Sequence, residues 1–242
     1  MADDSVPRNT DLSQSLIYAR DLNITLRDLR KAHHTLKKAY LETIHCLAMA
    51  VEFRDSETGG HIRRIGLYSL HLARKAGLAA DSAAIIRYAA PMHDIGKIGI
   101  PDRILQKAGQ LDPDERAVME SHCEIGGKIL AGSESDVLRC ARTIAMTHHE
   151  HWDGSGYPRG LAGTDIPLAG RIVAIVDVFD ALTSQRPYKE AFPIAKALTM
   201  ISALRGNHFD PDLTDLLIDS VDEMIEENGD DMISVEMDGG NG

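Results

Sequence analysis

Aromatic side chains supply only 5% of the 242 residues, so a core must be built from Leu, Ile, Val, Ala and Met. An excess of positive charge is also missing. Lys and Arg number 26 against 37 Asp and Glu, a formal net charge of −11 that excludes a broad nucleic-acid or anionic-membrane surface. The three cysteines, Cys46, Cys123 and Cys140, lie far apart with no CxxC spacing. They read as reduced thiols and exclude a disulfide framework or a thiolate zinc site. Nothing resembles a signal peptide, because the first ten residues are polar and carry acids. No apolar run approaches the roughly 18 residues a bilayer span needs. The chain therefore reads as cytoplasmic, with no membrane contact. No stretch alternates with period two, which leaves an all-α class.

Glycine and proline are absent from Leu12 to Glu52, where a helical pattern runs unbroken. Leu22, Leu29, Leu36 and Thr43 are seven apart, and Leu26, His33, Tyr40 and Leu47 form a companion set. These are the d and a positions of a parallel coiled coil, a seam for a homodimer. The same pattern also suits a long amphipathic helix packed on its own domain. Helical spacing resumes from His61 to Ala76, from Asp81 to Met92, and after the strong start Asp112-Pro113-Asp114-Glu115, with His122 expected near the middle of that helix. Further helices are expected around Leu138–Ala145, Ile166–Leu182, Phe192–Leu204 and Asp212–Glu227. Residues 150–161 hold three glycines and a proline and predict a loop. The acidic, glycine-rich tail after Asn228 is expected to be disordered. The domain reading is a tail and signalling or dimerisation helix at 1–42, a catalytic helical bundle at 43–228 and the tail at 229–242.

The chemistry gathers around Met92-His93-Asp94-Ile95-Gly96-Lys97. An imidazole beside a carboxylate can hold a divalent metal, and the two oxygens of Asp94 can bridge two. Lys97 adds a cation within reach of any anion the metals bind. Other groups recur about one helix plus a connection apart (61 to 93, 94 to 122, 122 to 148, 149 to 177), so neighbouring helices can lean them into one cavity. The metal-ligand candidates are Glu57, His61, His93, Asp94, His122, His148, His149 and Asp177. Taken singly, each suits a structural role as well, although a carboxylate such as Asp177, set between Val176 and Val178, is unfavourable to bury alone. Together they are too many for one ion, so two metals are the least implied, with Glu57 available for a third. Imidazole and carboxylate without thiolate suit Fe, Mn or Zn. Two adjacent metals suit in-line displacement at phosphorus, binding ester oxygens and lowering the pKa of a bridging water.

The run His93-Asp94-Ile95-Gly96-Lys97 with Ile100-Pro101, followed by His148-His149-Glu150 and Asp153-Gly154-Ser155-Gly156-Tyr157-Pro158, resembles the HD-GYP family of HD phosphohydrolases. Glu57-Thr58-Gly59-Gly60-His61, Asp177-Val178-Phe179-Asp180 and Arg186-Pro187-Tyr188-Lys189 extend the likeness over roughly residues 43–228. The resemblance implies a bundle of α-helices that hydrolyses cyclic di-GMP to pGpG and onward to GMP, with two or three iron or manganese ions. It implies that the eight candidates are metal ligands, Glu57 being the acid found in three-metal members. Lys97 would contact the scissile phosphate and, with Asp94, carry the catalysis. Tyr157, Arg186 and Lys189 would hold the nucleotide. It also implies a contact with diguanylate cyclase (GGDEF) proteins through the Gly-Tyr-Pro loop. Hydrolysis of another cyclic dinucleotide or of a nucleotide monophosphate, or a module that binds cyclic di-GMP or docks on a diguanylate cyclase without turnover, are the competing expectations.

Overall fold

The computed structural model describes residues 8–54, 59–185 and 190–236. Among them there is no β-strand, and two isolated bridges, Asp153–Ala162 and Arg205–Phe209, are the only pairings of that kind. The all-α expectation is met. No helix among these residues is long and apolar enough to cross a membrane.

The first helix, α1 (Arg8–Glu52), is continuous, as its lack of glycine and proline leads one to expect. The chain divides into two compact units, Met1–Thr43 and Ile44–Gly242. In the first, the seam residues Leu22, Leu26, Leu29 and Leu36 are all exposed. The end of α1 belongs to the second unit, where Ile44, Ala48 and Val51, one helical face, are buried.

The second unit is a bundle of short helices. It contains α2 (Gly59–Lys75), α3 (Ala80–Ala89), α4 (Asp102–Leu105), α5 (Pro113–Glu120), α6 (His122–Ile129), α7 (Asp136–Ala145), α8 (Leu168–Thr183), α9 (Ile194–Ala203) and α10 (Pro211–Glu236). Its centre is α8, where Ile172, Val173, Ala174, Ile175 and Val176 are consecutive and buried. A helix apolar on every side needs neighbours on every side, and α2, α7, α9 and α10 pack around it. Each of the Ile and Val side chains there contributes about 1.5–3 kcal/mol by leaving water.

Two expectations change. The break after Glu120 puts His122 at the first position of a new helix, not mid-helix. Ser121 causes it locally, its hydroxyl donating to the Val118 carbonyl at 2.6 Å in competition with the helical ladder. At the other end, α10 runs on to Glu236 through Gly229, where disorder is expected from composition. Residues 237–242 lie outside the described residues.

Candidate metal centre

Short, tight elements deliver the ligands. After α3 the chain narrows into a 3-10 turn, Ala90–Met92, whose Pro91 has no N–H to offer a longer helix. His93 and Asp94 follow, and a second 3-10 turn, Ile95–Gly99, carries Lys97. Gly96 is required by close approach: a Cβ there would stand 1.9 Å from the His122 carbonyl oxygen. That contact seats the turn against the start of α6, where His122 begins. His148 and His149 stand in the turn after α7, His61 in the first turns of α2, and Asp177 on α8.

Four imidazoles are anchored in the same way. Nδ1 of His93 donates to the Ala90 carbonyl at 3.0 Å, His122 to Met119 at 2.8 Å, and His148 to Ile144 at 3.1 Å. Nδ1 of His61 lies 2.8 Å from Asp180 Oδ2. A proton fixed on Nδ1 leaves the Nε2 lone pair pointing inward, the tautomer a metal ligand needs. Three of these inward atoms, those of His93, His122 and His148, surround Asp94. Its Oδ1 lies 3.2 Å from His122 Nε2 and 3.5 Å from His148 Nε2, and its Oδ2 lies 3.3 Å from His93 Nε2. Lys97 Nζ is 2.7 Å from the same Oδ2. His122 and His148 bring their Nε2 atoms within 3.5 Å of each other. Asp177 Oδ1 lies 3.8 Å from His61 Nε2 and 4.0 Å from His93 Nε2.

Two observations test whether a metal fits. Asp94 Oδ1 and His93 Nε2 are buried without a hydrogen-bond partner, a state that is expensive unless something else meets it. Ligand atoms of Asp94, His122, His148 and His149 also lie within 4.8 Å of one another. Acceptors gathered this closely call for a cation between them, and the donor set of N and O suits a borderline or hard divalent ion.

The electrostatics divide the ligands: although burial opposes it, Asp94, Asp177 and Glu52 raise His93 to about 10, so a metal bound there would displace a proton. Burial, together with the neighbouring rings, holds His148 and His149 below the usual histidine range, so both are neutral near pH 7. Burial works against an ionised Asp94, yet Lys97 and His93 outweigh it and hold the carboxyl well below its ordinary value.

Residues 45–213 match the family model described as HD domain. The chain belongs to the HD domain family. Together with Gly156-Tyr157-Pro158, the match places it in the HD-GYP branch. The chain is 44% identical over 209 residues to the 3'3'-cGAMP-specific phosphodiesterase 2 of Vibrio cholerae, covering 86% of this chain and 40% of that protein. It is 48% identical over 177 residues to a cyclic di-GMP phosphodiesterase response regulator of Xanthomonas campestris, covering 73% and 47%. A crystal structure of a cyclic GMP-AMP specific phosphodiesterase from V. cholerae shares the fold, with a TM-score of 0.59 at 20% identity, covering 75% of this chain and 48% of that one. The chain spans less than half the length of these curated relatives.

In this HD-GYP domain the Gly-Tyr-Pro loop lies over the centre. Tyr157 stacks on His149 with ring centroids 4.7 Å apart, and its N–H donates to the His149 carbonyl at 3.1 Å. Gly156 permits that fold-back, since a Cβ there would lie 2.4 Å from the same carbonyl oxygen. Of the other residues singled out from sequence, Glu57, Arg186 and Lys189 lie outside the described residues.

Sequence reasoning overlooked four positions, and one, Asp177, is less buried than its apolar neighbours suggest. Asp177 is partly exposed, with its side chain 24% accessible; the buried carboxylate of α8 is Asp180, which Arg64 and His61 hold in place. Glu150, 2% exposed, accepts the N–H groups of Arg159 at 2.8 Å and Leu161 at 2.9 Å, and so clamps the loop. Arg54 donates to the carbonyls of Ile98 at 2.9 Å and Ile100 at 3.2 Å, bracing the turn that carries Lys97. Glu52, also 2% exposed, sits with His61 and His93. A charge inside an apolar stretch, as in Val51-Glu52-Phe53, was the available signal for the last.

Proposed function

We propose that the chain is the catalytic part of a metal-dependent phosphodiesterase that opens a cyclic dinucleotide, cyclic di-GMP first, to linear pGpG and then GMP. One observation carries the reading: three imidazoles, His93, His122 and His148, anchored through Nδ1 to backbone carbonyls, turn Nε2 toward the two oxygens of Asp94, beside a lysine. His61, His93, Asp94, His122, His148, His149 and Asp177 would hold two divalent ions, Fe or Mn, with Glu57 available to a third. When bound, such ions polarise a phosphate ester and lower the pKa of a nearby water.

The chain's own groups do the rest. Asp94 keeps both oxygens ionised at the centre, because Lys97 and the surrounding imidazoles outweigh its burial. Lys97 is largely buried, its side chain 15% accessible, so its positive charge acts where little water screens it. It would face the charge that grows on the departing ribose oxygen and can give that oxygen a proton. Tyr157, pinned on His149 by the Glu150 clamp, forms one wall for the nucleotide. Arg186 and Lys189 are proposed as phosphate-binding cations on sequence grounds. The exposed Leu22, Leu29 and Leu36 of α1 would pair two copies, and the Gly-Tyr-Pro loop is a proposed contact for diguanylate cyclase (GGDEF) proteins.

A second substrate has specific support, because the Vibrio cholerae relative at 44% identity is named for 3'3'-cGAMP. The deciding experiment purifies the protein without oxygen, quantifies Fe and Mn per chain, and offers both dinucleotides in competition. Loss of cyclic di-GMP in proportion to metal content, with pGpG preceding GMP, is the expected result. Preferential loss of 3'3'-cGAMP would transfer the assignment to that substrate. Binding of either without products, at full metal occupancy, would remove the catalytic reading.

A further inference from the structure

Glu52 is the last residue of α1 and is 2% exposed. Its Oε2 is buried and has no hydrogen-bond partner. An isolated carboxylate in that position is among the least favourable groups a fold can bury. The carboxylate faces two rings: one ligand atom each from Glu52, His61 and His93 lie within 4.8 Å of one another. His93 commits Nδ1 to the Ala90 carbonyl, which leaves Nε2 as the buried atom turned inward, 3.3 Å from Asp94 Oδ2. His61 commits Nδ1 to Asp180. Three potential ligand atoms therefore converge on one gap, and a divalent cation suits that donor set.

The carboxylate is also held there. Ile44, Ala48 and Val51 bury the preceding turns, and two residues onward Arg54 is bound to the carbonyls of Ile98 and Ile100. The end of α1 is thus fastened to the turn that carries Lys97. A flexible surface acid would have no such constraint.

We infer that Glu52, together with His61 and His93, is a direct ligand of a divalent metal ion, at a position separate from the Asp94–His122–His148–His149 group. This rests on the metal-centre reading above and extends it to a residue no motif reading reached.

The test loads metal-free full-length chain with Mn²⁺ alone and follows uptake by calorimetry, by metal analysis of the desalted protein and by thermal melting. Wild type and Glu52→Gln are compared, with Glu52→Asp as the variant that keeps the charge while retracting it. The expected result is that Glu52→Gln weakens one Mn²⁺ site on the order of 10–100-fold while the others are retained. In chelator its melting temperature should equal or exceed that of wild type, because an unpaired buried charge is gone. The rise in melting temperature on adding Mn²⁺ should shrink. Glu52→Asp should fall between the two. Equal stoichiometry and affinity in wild type and Glu52→Gln would overturn the role of Glu52 and leave the rest of the centre standing. A lower melting temperature in chelator with unchanged Mn²⁺ uptake would mark Glu52 as structural and overturn it equally. No uptake by wild type would instead defeat the metal-centre reading as a whole.

Discussion

Histidines at the centre of this domain and histidines outside it keep different company. At the centre, His93, His122 and His148 spend Nδ1 on backbone carbonyls and turn Nε2 toward one another and Asp94. His71, joining α2 to α10, offers a similar set of groups, with Glu223 and Glu227 close by. There Nδ1 is bonded to Glu227 at 2.9 Å, Glu223 is neutralised by Lys75, and both acids are exposed. His151 and His208 stack on each other, ring centroids 3.8 Å apart, and His151 Nδ1 meets the Ser155 hydroxyl at 3.0 Å. Residue type is the same in each place. What differs is that several buried imidazoles at the centre converge on one buried carboxylate, whereas a single buried imidazole at His71 meets exposed acids, one of them already paired with Lys75.

The sharpest way to break that contrast is to alter the group all the inward atoms share. Asp94→Asn keeps the shape and removes the charge. The expected outcome is loss of bound metal and a fall in turnover on the order of 10³-fold or more, measured by metal analysis and product chromatography. Full metal content with near-normal turnover would mean the convergence on Asp94 is structural only. Lys97→Ala should separate holding from chemistry. Metal stays bound, and kcat falls by roughly 10²–10³-fold, as when one preorganised charge facing the transition state is removed. A rise in KM alone would reassign Lys97 to simple binding.

How far this contrast could be read from sequence depends on what set each feature. The helices announced themselves, because α8 carries an unbroken apolar run and α5 begins with Asp112-Pro113 and a complete capping box. His93-Asp94 and His148-His149 stood out through adjacency, and the regular spacing of His61 and His122 followed. Glu52 and Asp180 did not. Each is one acid on a helix, and its meaning comes from which partner the packing brings near: His93 from 41 positions away, and His61 from 119. Glu150 was hidden for the same reason, since its partners are backbone N–H groups that carry no letter in the sequence. The turn at Ser121 was missed because a strong cap at Asp112 says where a helix starts, not where it stops.

Outside the centre the effects should be smaller and of another kind. His71→Gln is expected to leave Mn²⁺ uptake and kcat unchanged. It should lower stability by about 1 kcal/mol, the scale of one hydrogen bond to a partly solvated carboxylate. Denaturant melts paired with metal analysis would check it. A loss of bound metal would show that the α2–α10 clasp is a site after all.

The smallest effect is a pH dependence in the His151–His208 stack. Burial and then the neighbouring His151 ring push His208 down from its usual value to about 4, with Asp153 pulling weakly the other way. Its folded pKa is therefore below its unfolded value. The unfolded chain takes up a proton near pH 6.5 that the folded chain refuses until about pH 4, so this contribution is present above 6.5 and is lost as pH falls between those values. The ring keeps a solvent-facing side, which limits the loss to about 1 kcal/mol. His208→Gln should flatten the acid limb of the stability curve in that window, leaving the limb below pH 4 to carboxylates such as Asp180. Identical curves for the two proteins between pH 6.5 and 4 would mean that the stack protonates freely in the fold. In that case the peripheral histidines would be no more constrained than a surface residue, and the restraint seen at the centre would belong to the centre alone.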